Sequence, residues 1–115
     1  KAETALFYYN RGVDKQDSGD HYGAISDYTK AIEINPKDES AHYNRGLAKR
    51  KLGDNYGAIA DYSKAIEINP THANAYGNRG LAKKLIGDMK GACSDWRKAS
   101  SLGDKGAAKW VRNQC

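Results

Sequence analysis

A repeat of 34 residues constrains the fold of this chain more than any other feature. The segment NRGLAKRKLGDNYGAIADYSKAIEINP, which begins at Asn44, is echoed by NRGVDKQDSGDHYGAISDYTKAIEINP from Asn10. A looser third copy, NRGLAKKLIGDMKGACSDWRKASSLGD, begins at Asn78. Such a period indicates one supersecondary unit that has been copied and stacked, because a single unit cannot bury its own apolar face. We therefore expect a single elongated domain whose function resides on a repeated surface.

Each unit has the pattern of two short helices joined by a tight turn. In the middle copy, residues 40–51 are good helix formers, and Gly53 follows where a helix would stop. Asp54 is a candidate N-cap for a second helix, which ends before Pro70 because proline disfavours helical geometry in the residue preceding it. After the third copy, residues 104–113 form a shorter apolar pattern, which predicts a lid over the last repeat.

The period and its landmarks resemble the tetratricopeptide repeat, a helix–turn–helix unit of the same length. The shared landmarks are Gly12, Gly46 and Gly80; Ala24, Ala58 and Ala92; Tyr28, Tyr62 and Trp96; Ala31, Ala65 and Ala99; and Pro36 and Pro70. The resemblance implies an all-α fold, an alpha-alpha superhelix in which the first helices line a concave groove. It divides the single domain, residues 1–115, into repeat 1 (5–38), repeat 2 (39–72), repeat 3 (73–106) and a capping helix (104–113).

Members of this family generally bind peptides or partner proteins, so the resemblance implies a noncatalytic protein–protein interaction module. If the family geometry holds, Asn10, Asn44 and Asn78 face the groove as an asparagine ladder. An amide side chain can donate to and accept from a peptide backbone of any sequence. Packed helices lie roughly 8–10 Å apart and an extended peptide advances about 3.3 Å per residue, so a rung would meet about every third ligand residue. The alternative is that each asparagine satisfies a neighbouring helix.

Other positions of the first helices complete the predicted groove, which is aromatic and apolar toward the first two repeats and basic toward the last. The candidate peptide-binding residues are Tyr9, Asn10, Val13, Tyr43, Asn44, Leu47, Arg50, Asn78, Leu81 and Lys84. In the third repeat Gly77 replaces the tyrosine of the other two. The chain has a net charge of +5, and residues 73–115 hold nine basic and three acidic side chains. We therefore expect a protein or peptide partner with acidic character.

Some members of the family clamp a C-terminal carboxylate with a Lys/Asn/Arg set. Only Asn44 fits that set here, since Tyr9, Val13, Asn74 and Asn78 occupy the other places. The resemblance therefore does not imply chaperone-tail binding of that type.

An arginine row and an aspartate row run at the same period through the three copies. They are Arg11, Arg45 and Arg79, and Asp27, Asp61 and Asp95. Arginine departs from the family, which usually has leucine at this position. Because the same spacing separates each Arg from its Asp, we expect structural ion pairs between the two helices of a unit or between adjacent units.

Cys93 and Cys115 are too few for a disulfide scaffold and lack the spacing of a zinc site. Cys115 ends the segment expected to fold back on the helix that carries Cys93. The two residues are either joined by a disulfide or ordinary thiols, with Cys93 as a small core residue. A bridge would favour an exported or periplasmic location over the cytoplasm.

Several functional classes find no support in the sequence. The three histidines lie in different registers, and no phosphate-binding loop or Ser/His/Asp arrangement is apparent, so we expect no enzyme activity, catalytic residue, metal or cofactor. No apolar run approaches the ~20 residues that span a bilayer, so we expect no membrane insertion. Nucleic acid is not the expected partner either, since the chain has no recognised base-reading motif despite its basic residues.

The N-terminal end leaves a second function open. No lid precedes the first helix, so self-association or assembly through an uncapped N-terminal repeat is the alternative to peptide binding. The chain opens on Lys1 and its one methionine is Met89, so we expect it to be a processed product or part of a longer protein.

Overall fold

A computed structural model describes residues 3–115; Lys1 and Ala2, which the predicted domain includes, lie outside the described residues. Seven helices and no strand occupy the described part of the chain, so the predicted all-α fold is confirmed. The helices are α1 (Ala5–Asp17), α2 (His21–Ile34), α3 (Glu39–Lys51), α4 (Asn55–Ile68), α5 (Ala73–Leu85), α6 (Met89–Ser101) and α7 (Lys105–Gln114). None of the helices between residues 3 and 115 is long and apolar enough to cross a membrane.

The turn inside each hairpin is built from a glycine followed by an aspartate. In repeat 2, Gly53 adopts a φ of 85°, a left-handed conformation that glycine reaches without a Cβ clash. The next residue, Asp54, caps α4, because its carboxylate accepts a hydrogen bond of 2.9 Å from the backbone N–H of Gly57. The same arrangement recurs in the other two repeats, which explains why all three hairpins have the same shape.

Small residues let the two helices of each hairpin approach closely. A Cβ at Gly46 would lie 2.7 Å from the ring of Tyr62, which is too close for any side chain to be accommodated without movement. Tyr62 and the alanines at 58 and 65 are fully buried in this contact. The hairpins stack in order along the chain, and the molecule measures 52 × 25 × 19 Å, as expected for an array in which each unit touches only its neighbours.

The third repeat ends under a lid. Trp96 replaces the buried tyrosine of repeats 1 and 2, and its indole N–H donates a 3.2 Å hydrogen bond to the carbonyl oxygen of Gly77. Helix α7 packs against this tryptophan with Trp110, at a ring-centroid distance of 5.3 Å. Cys93 and Cys115 form a disulfide that joins α6 to the end of α7, with their Cα atoms 5.9 Å apart. The lid is therefore held both by aromatic packing and by a covalent link.

Ion pairs between the arginine and aspartate rows join the two helices of every hairpin. In repeat 2 the guanidinium of Arg45 donates from Nε and Nη2 to the two carboxylate oxygens of Asp61, at 2.9 and 2.7 Å. Its Nη1 donates to the hydroxyl of Thr29 in the preceding repeat at 3.2 Å. Lys49 approaches the same carboxylate at 3.1 Å. One arginine thus connects three helices, and the predicted pairing of the two rows is confirmed.

The pairs differ in how far water reaches them. The Arg45 and Asp61 side chains are 18% and 5% exposed, and the pair of repeat 3 has the same values. The Arg11 side chain in repeat 1 is 45% exposed. Its hydrogen bonds nevertheless hold the pKa of Asp27 below the usual value of a carboxyl group.

We expect Arg45→Ala to destabilise the fold by about 3 kcal/mol, because it leaves the carboxylate of Asp61 buried with only Lys49 beside it. Denaturant unfolding measures this loss. Arg11→Ala is the matched control and should destabilise less, since its pair is more exposed. A loss of ligand affinity larger than the loss of stability in Arg45→Ala would contradict a structural role for the pair.

We expect reduction of the disulfide to lower the free energy of unfolding by about 3 kcal/mol, because the bridge closes a loop with a sequence separation of 22 residues. Thermal unfolding with and without a thiol reductant measures the difference, and mass spectrometry after alkylation shows whether the bridge is present. The double variant Cys93→Ala, Cys115→Ala should not respond to the reductant. An equal response in that variant would show that the reductant acts elsewhere.

Candidate functional site

The three first helices, α1, α3 and α5, form one continuous face of the array. Successive first helices contact each other directly, whereas the contacts between successive second helices are weaker within residues 3–115. Elements that lie closer together are on the inside of a curve, so this face is the inner one. All ten candidate peptide-binding residues belong to these three helices.

The asparagine row engages the tyrosines of the preceding repeat. The Nδ2 atom of Asn44 donates to the hydroxyl of Tyr9 at 2.8 Å, and Nδ2 of Asn78 donates to the hydroxyl of Tyr43 at 2.9 Å. Asn78 Nδ2 also donates to the backbone oxygen of Asn74 at 3.0 Å. Asn10, in the first repeat, is exposed. The N–H groups of Asn44 and Asn78 are thus bound within the array, while no residue of 3–115 donates a hydrogen bond to their amide oxygens.

The tyrosine row stands over the buried aromatic row. The rings of Tyr9 and Tyr28 are 5.9 Å apart, and those of Tyr43 and Tyr62 are 5.7 Å apart. Burial is the main cause that raises the pKa of Tyr43, so its hydroxyl keeps its proton at neutral pH. That hydroxyl accepts a hydrogen bond from Asn78, and its own proton remains available to a further acceptor.

Repeat 3 departs from this pattern. Gly77 supplies no ring at the tyrosine position, and the larger Trp96 fills the space behind it. The row of tyrosines that faces the groove therefore ends at Tyr43.

The apolar candidates, which are half-buried, form the floor of the groove, and the basic candidates follow three residues later on the same helices. Leu47 packs with Tyr43 against buried Tyr62 and against Ala82 of the next repeat. Val13 and Leu81 hold the equivalent positions on α1 and α5 and are half-buried. Arg50, three residues after Leu47, is half-buried, and Lys84, at the equivalent position of α5, is exposed. All ten predicted residues thus lie on the first helices of the three repeats.

The aromatic residue of each second helix is only a repeat landmark in the sequence, and the pattern does not predict the contacts of its polar end. The hydroxyl of Tyr28 donates to Oε1 of Gln16 at 2.7 Å, at the edge of the groove. In repeat 2 Arg50 stands in place of that glutamine, and the Tyr62 hydroxyl has no hydrogen-bond partner in the described chain. The difference between repeats at this one position, Gln against Arg, was the available signal.

Other chemistry is sparse on this surface. Across residues 3–115 no group of three or more His, Cys, Asp or Glu side chains could hold a metal ion. The buried aspartates belong to the ion pairs described above. The groove offers hydrogen-bond donors, amide oxygens and apolar rings, which is the chemistry of recognition by contact.

Comparisons with known proteins agree with this architecture. A family model described as tetratricopeptide repeat matches residues 40–72, and a second, described as TPR repeat, matches residues 17–53. No curated protein sequence matches the chain.

Solved structures are similar over most of the chain. The TPR domain of Arabidopsis OM64 is 26% identical with a TM-score of 0.90, covering 97% of this chain and 97% of that one. The second TPR of Spaghetti (RPAP3), solved bound to the HSP90 peptide SRMEEVD, is 25% identical with a TM-score of 0.84, covering 87% and 93%. A crystal structure of MamA is 30% identical with a TM-score of 0.85, covering 91% of this chain and 61% of that one. With three stacked hairpins that carry the repeat landmarks, this chain belongs to the tetratricopeptide repeat family.

Proposed function

We propose that this chain is a noncatalytic protein–protein interaction module that binds an extended peptide segment in its concave groove through the asparagine ladder. One observation carries the proposal: an amide recurs at the same place on each first helix, and at Asn44 and Asn78 its oxygen is left free by an internal hydrogen bond. A free oxygen on a fixed amide can accept an N–H from a ligand backbone without reference to the ligand's side chains.

The tyrosine that accepts a hydrogen bond from Asn44 or Asn78 also fixes the orientation of that amide before a ligand binds. Because Tyr9 orients Asn44, and Tyr43 orients Asn78, these side chains lose less conformational freedom when a peptide binds. Each of the two tyrosine hydroxyls retains a proton for a peptide carbonyl oxygen. Each asparagine–tyrosine pair therefore offers one acceptor and one donor, which match the N–H and C=O groups of a peptide unit.

Relatives support the class of ligand. The second TPR of Spaghetti (RPAP3) was solved with a bound peptide, and it has the same fold over 93% of its length. The groove of this chain differs from a clamp for a C-terminal carboxylate, because Tyr9 and Val13 stand where such a clamp has polar or cationic side chains. We infer that the backbone of the ligand and its apolar side chains are held here, on the rings and leucines of the groove floor.

We expect the triple variant Asn10→Ala, Asn44→Ala, Asn78→Ala to lose at least tenfold in affinity, about 1.4 kcal/mol, for a peptide that the wild-type protein selects from a random linear library. Isothermal titration measures the affinity. The helical circular dichroism spectrum should stay unchanged, because removing each hydrogen bond costs only about 1 kcal/mol.

Two further variants separate binding from stability. Asn10→Ala alone removes an exposed amide with no hydrogen bond to the described residues, so it should weaken binding with no change in melting temperature. Asn113→Ala, an equally small change at an exposed residue of α7 outside the ten candidate residues, should change neither quantity. Unchanged affinity in the triple variant would place the binding site elsewhere.

The first repeat supports self-association as a second candidate function. Arg45 and Arg79 each donate from Nη1 to a hydroxyl of the preceding repeat, at 3.2 and 3.1 Å. The equivalent face of α1 carries Arg11, which is more exposed, beside Leu6 and Phe7, which are 65% and 41% exposed. Phe7 and Arg11 are thus more exposed than the equivalent Ala41 and Arg45 of repeat 2, and a second copy could cover them together with Leu6.

We expect sedimentation velocity to show an oligomer at high protein concentration if this face associates, and Leu6→Ser to shift the sample toward the monomer. Leu85→Ser is the matched control, because that leucine is 57% exposed on a different helix. A wild-type protein that remains monomeric at high concentration would exclude self-association.

A further inference from the structure

Repeat 2 contains a cation and a phenol, Arg50 and Tyr62, that have no internal acceptor. In repeat 1 the position three residues after Val13 is Gln16, whose side-chain oxygen accepts the proton of the Tyr28 hydroxyl. Repeat 2 has Arg50 at this position, and arginine carries donors only. The Tyr62 hydroxyl therefore cannot pass its proton to Arg50 as Tyr28 does to Gln16.

This difference between the repeats leaves two polar atoms of repeat 2 unpaired. The Nε of Arg50 and the hydroxyl of Tyr62 are both buried without a hydrogen-bond partner in the described residues. Burial raises the pKa of Tyr62 to about 12, and the nearby Arg50 opposes this only in part, so the hydroxyl stays protonated. Buried donors are nearly always paired in folded proteins. Tyr62 is fully buried, so the half-buried Arg50 is the member of this pair that a ligand can reach.

The neighbouring groups do not supply that acceptor. Arg50 forms no ion pair within residues 3–115, and the carboxylate of Asp61, which α4 presents to α3, is already bound by Arg45 and Lys49. The hydroxyl of Tyr43 lies near the charge of Arg50. It already accepts a hydrogen bond from Asn78, so it can act only as a donor to a further group.

We propose that this place is a receptor for a carboxylate of the bound peptide, held by the guanidinium of Arg50. The inference rests on the proposed function, because it needs a peptide in the groove. Planar carboxylates match the guanidinium fork, and hydrogen bonds between charged partners are the strong ones. The receptor selects peptides that carry a carboxylate at this place, whereas the asparagines contact only the peptide backbone.

Two sources of carboxylate have the same chemistry: an Asp or Glu side chain within the peptide, and a free C-terminus. Net charge along the chain is consistent with either, since the basic residues concentrate beyond repeat 2 and Lys84 lies at the equivalent position of α5. The position of Arg50 in the central repeat favours a side chain within the peptide, because ligand residues then extend over the repeats on both sides.

The test begins with peptides that the wild-type protein selects from a random linear library. Each selected sequence is synthesised with an amidated C-terminus in two forms, one with its acidic residue and one in which Asn replaces Asp or Gln replaces Glu. A third form has no acidic residue but has a free C-terminus. Affinities are measured for wild type, Arg50→Gln and Lys90→Gln. Arg50→Gln restores the glutamine of repeat 1 and should therefore fold as well as wild type; Lys90→Gln removes one positive charge from α6, outside the groove.

We expect replacement of the acidic residue to weaken binding to wild type and to Lys90→Gln at least tenfold, and to Arg50→Gln less than twofold. If a free C-terminus produces this pattern instead, the receptor holds a terminal carboxylate. Equal losses in wild type and Arg50→Gln would overturn the assignment to Arg50. Selected peptides with no dependence on any carboxylate would overturn the receptor and leave groove binding intact. If no peptide is selected at all, both proposals fail.

Discussion

The bidentate pair between an arginine of each first helix and an aspartate of each second helix is the interaction on which the rest of the array depends. Arg45 connects three helices, because two of its nitrogen atoms bind Asp61 and the third binds Thr29 of the preceding repeat. Such a planar connection sets both the angle within a hairpin and the step to its neighbour. A buried ion pair is costly to break, though it contributes little over an apolar replacement, so its effect here is on geometry more than on net stability.

Regular stepping of the hairpins creates a continuous surface that no single hairpin has. The hydrogen bond from Asn44 to Tyr9 joins residues 35 positions apart, and it forms only when two first helices lie side by side. The same bond fixes the orientation of the amide. Under the proposed function, the contacts that join neighbouring repeats would therefore also hold the ligand-binding amides in place.

Small departures from the repeat carry the specific features of this chain. Repeat 3 has Gly77 and Trp96 where the others have two tyrosines, and the indole N–H finds its acceptor on the glycine backbone. This exchange gives Trp110 of the lid a large ring to pack on. Repeat 2 has Arg50 where repeat 1 has Gln16, and there the donors remain unpaired. The change in repeat 3 therefore serves the packing of the lid, whereas the change in repeat 2 leaves hydrogen-bond donors without an acceptor.

The sequence by itself determined the hairpins, their order and that the two charged rows pair, since these follow from local helix chemistry and from a period repeated three times. The structure decided that each arginine pairs with the aspartate of its own unit. The capping helix was predicted for residues 104–113, and it runs from Lys105 to Gln114 because Asp104 stays outside as the N-cap and binds the Ala107 N–H at 3.1 Å. Only the tertiary structure decided which partners the asparagines have, that the two cysteines join, and that Tyr62 and Arg50 meet. These contacts depend on the angle and spacing between packed helices, which a periodic pattern constrains to a class of folds but not to individual atoms.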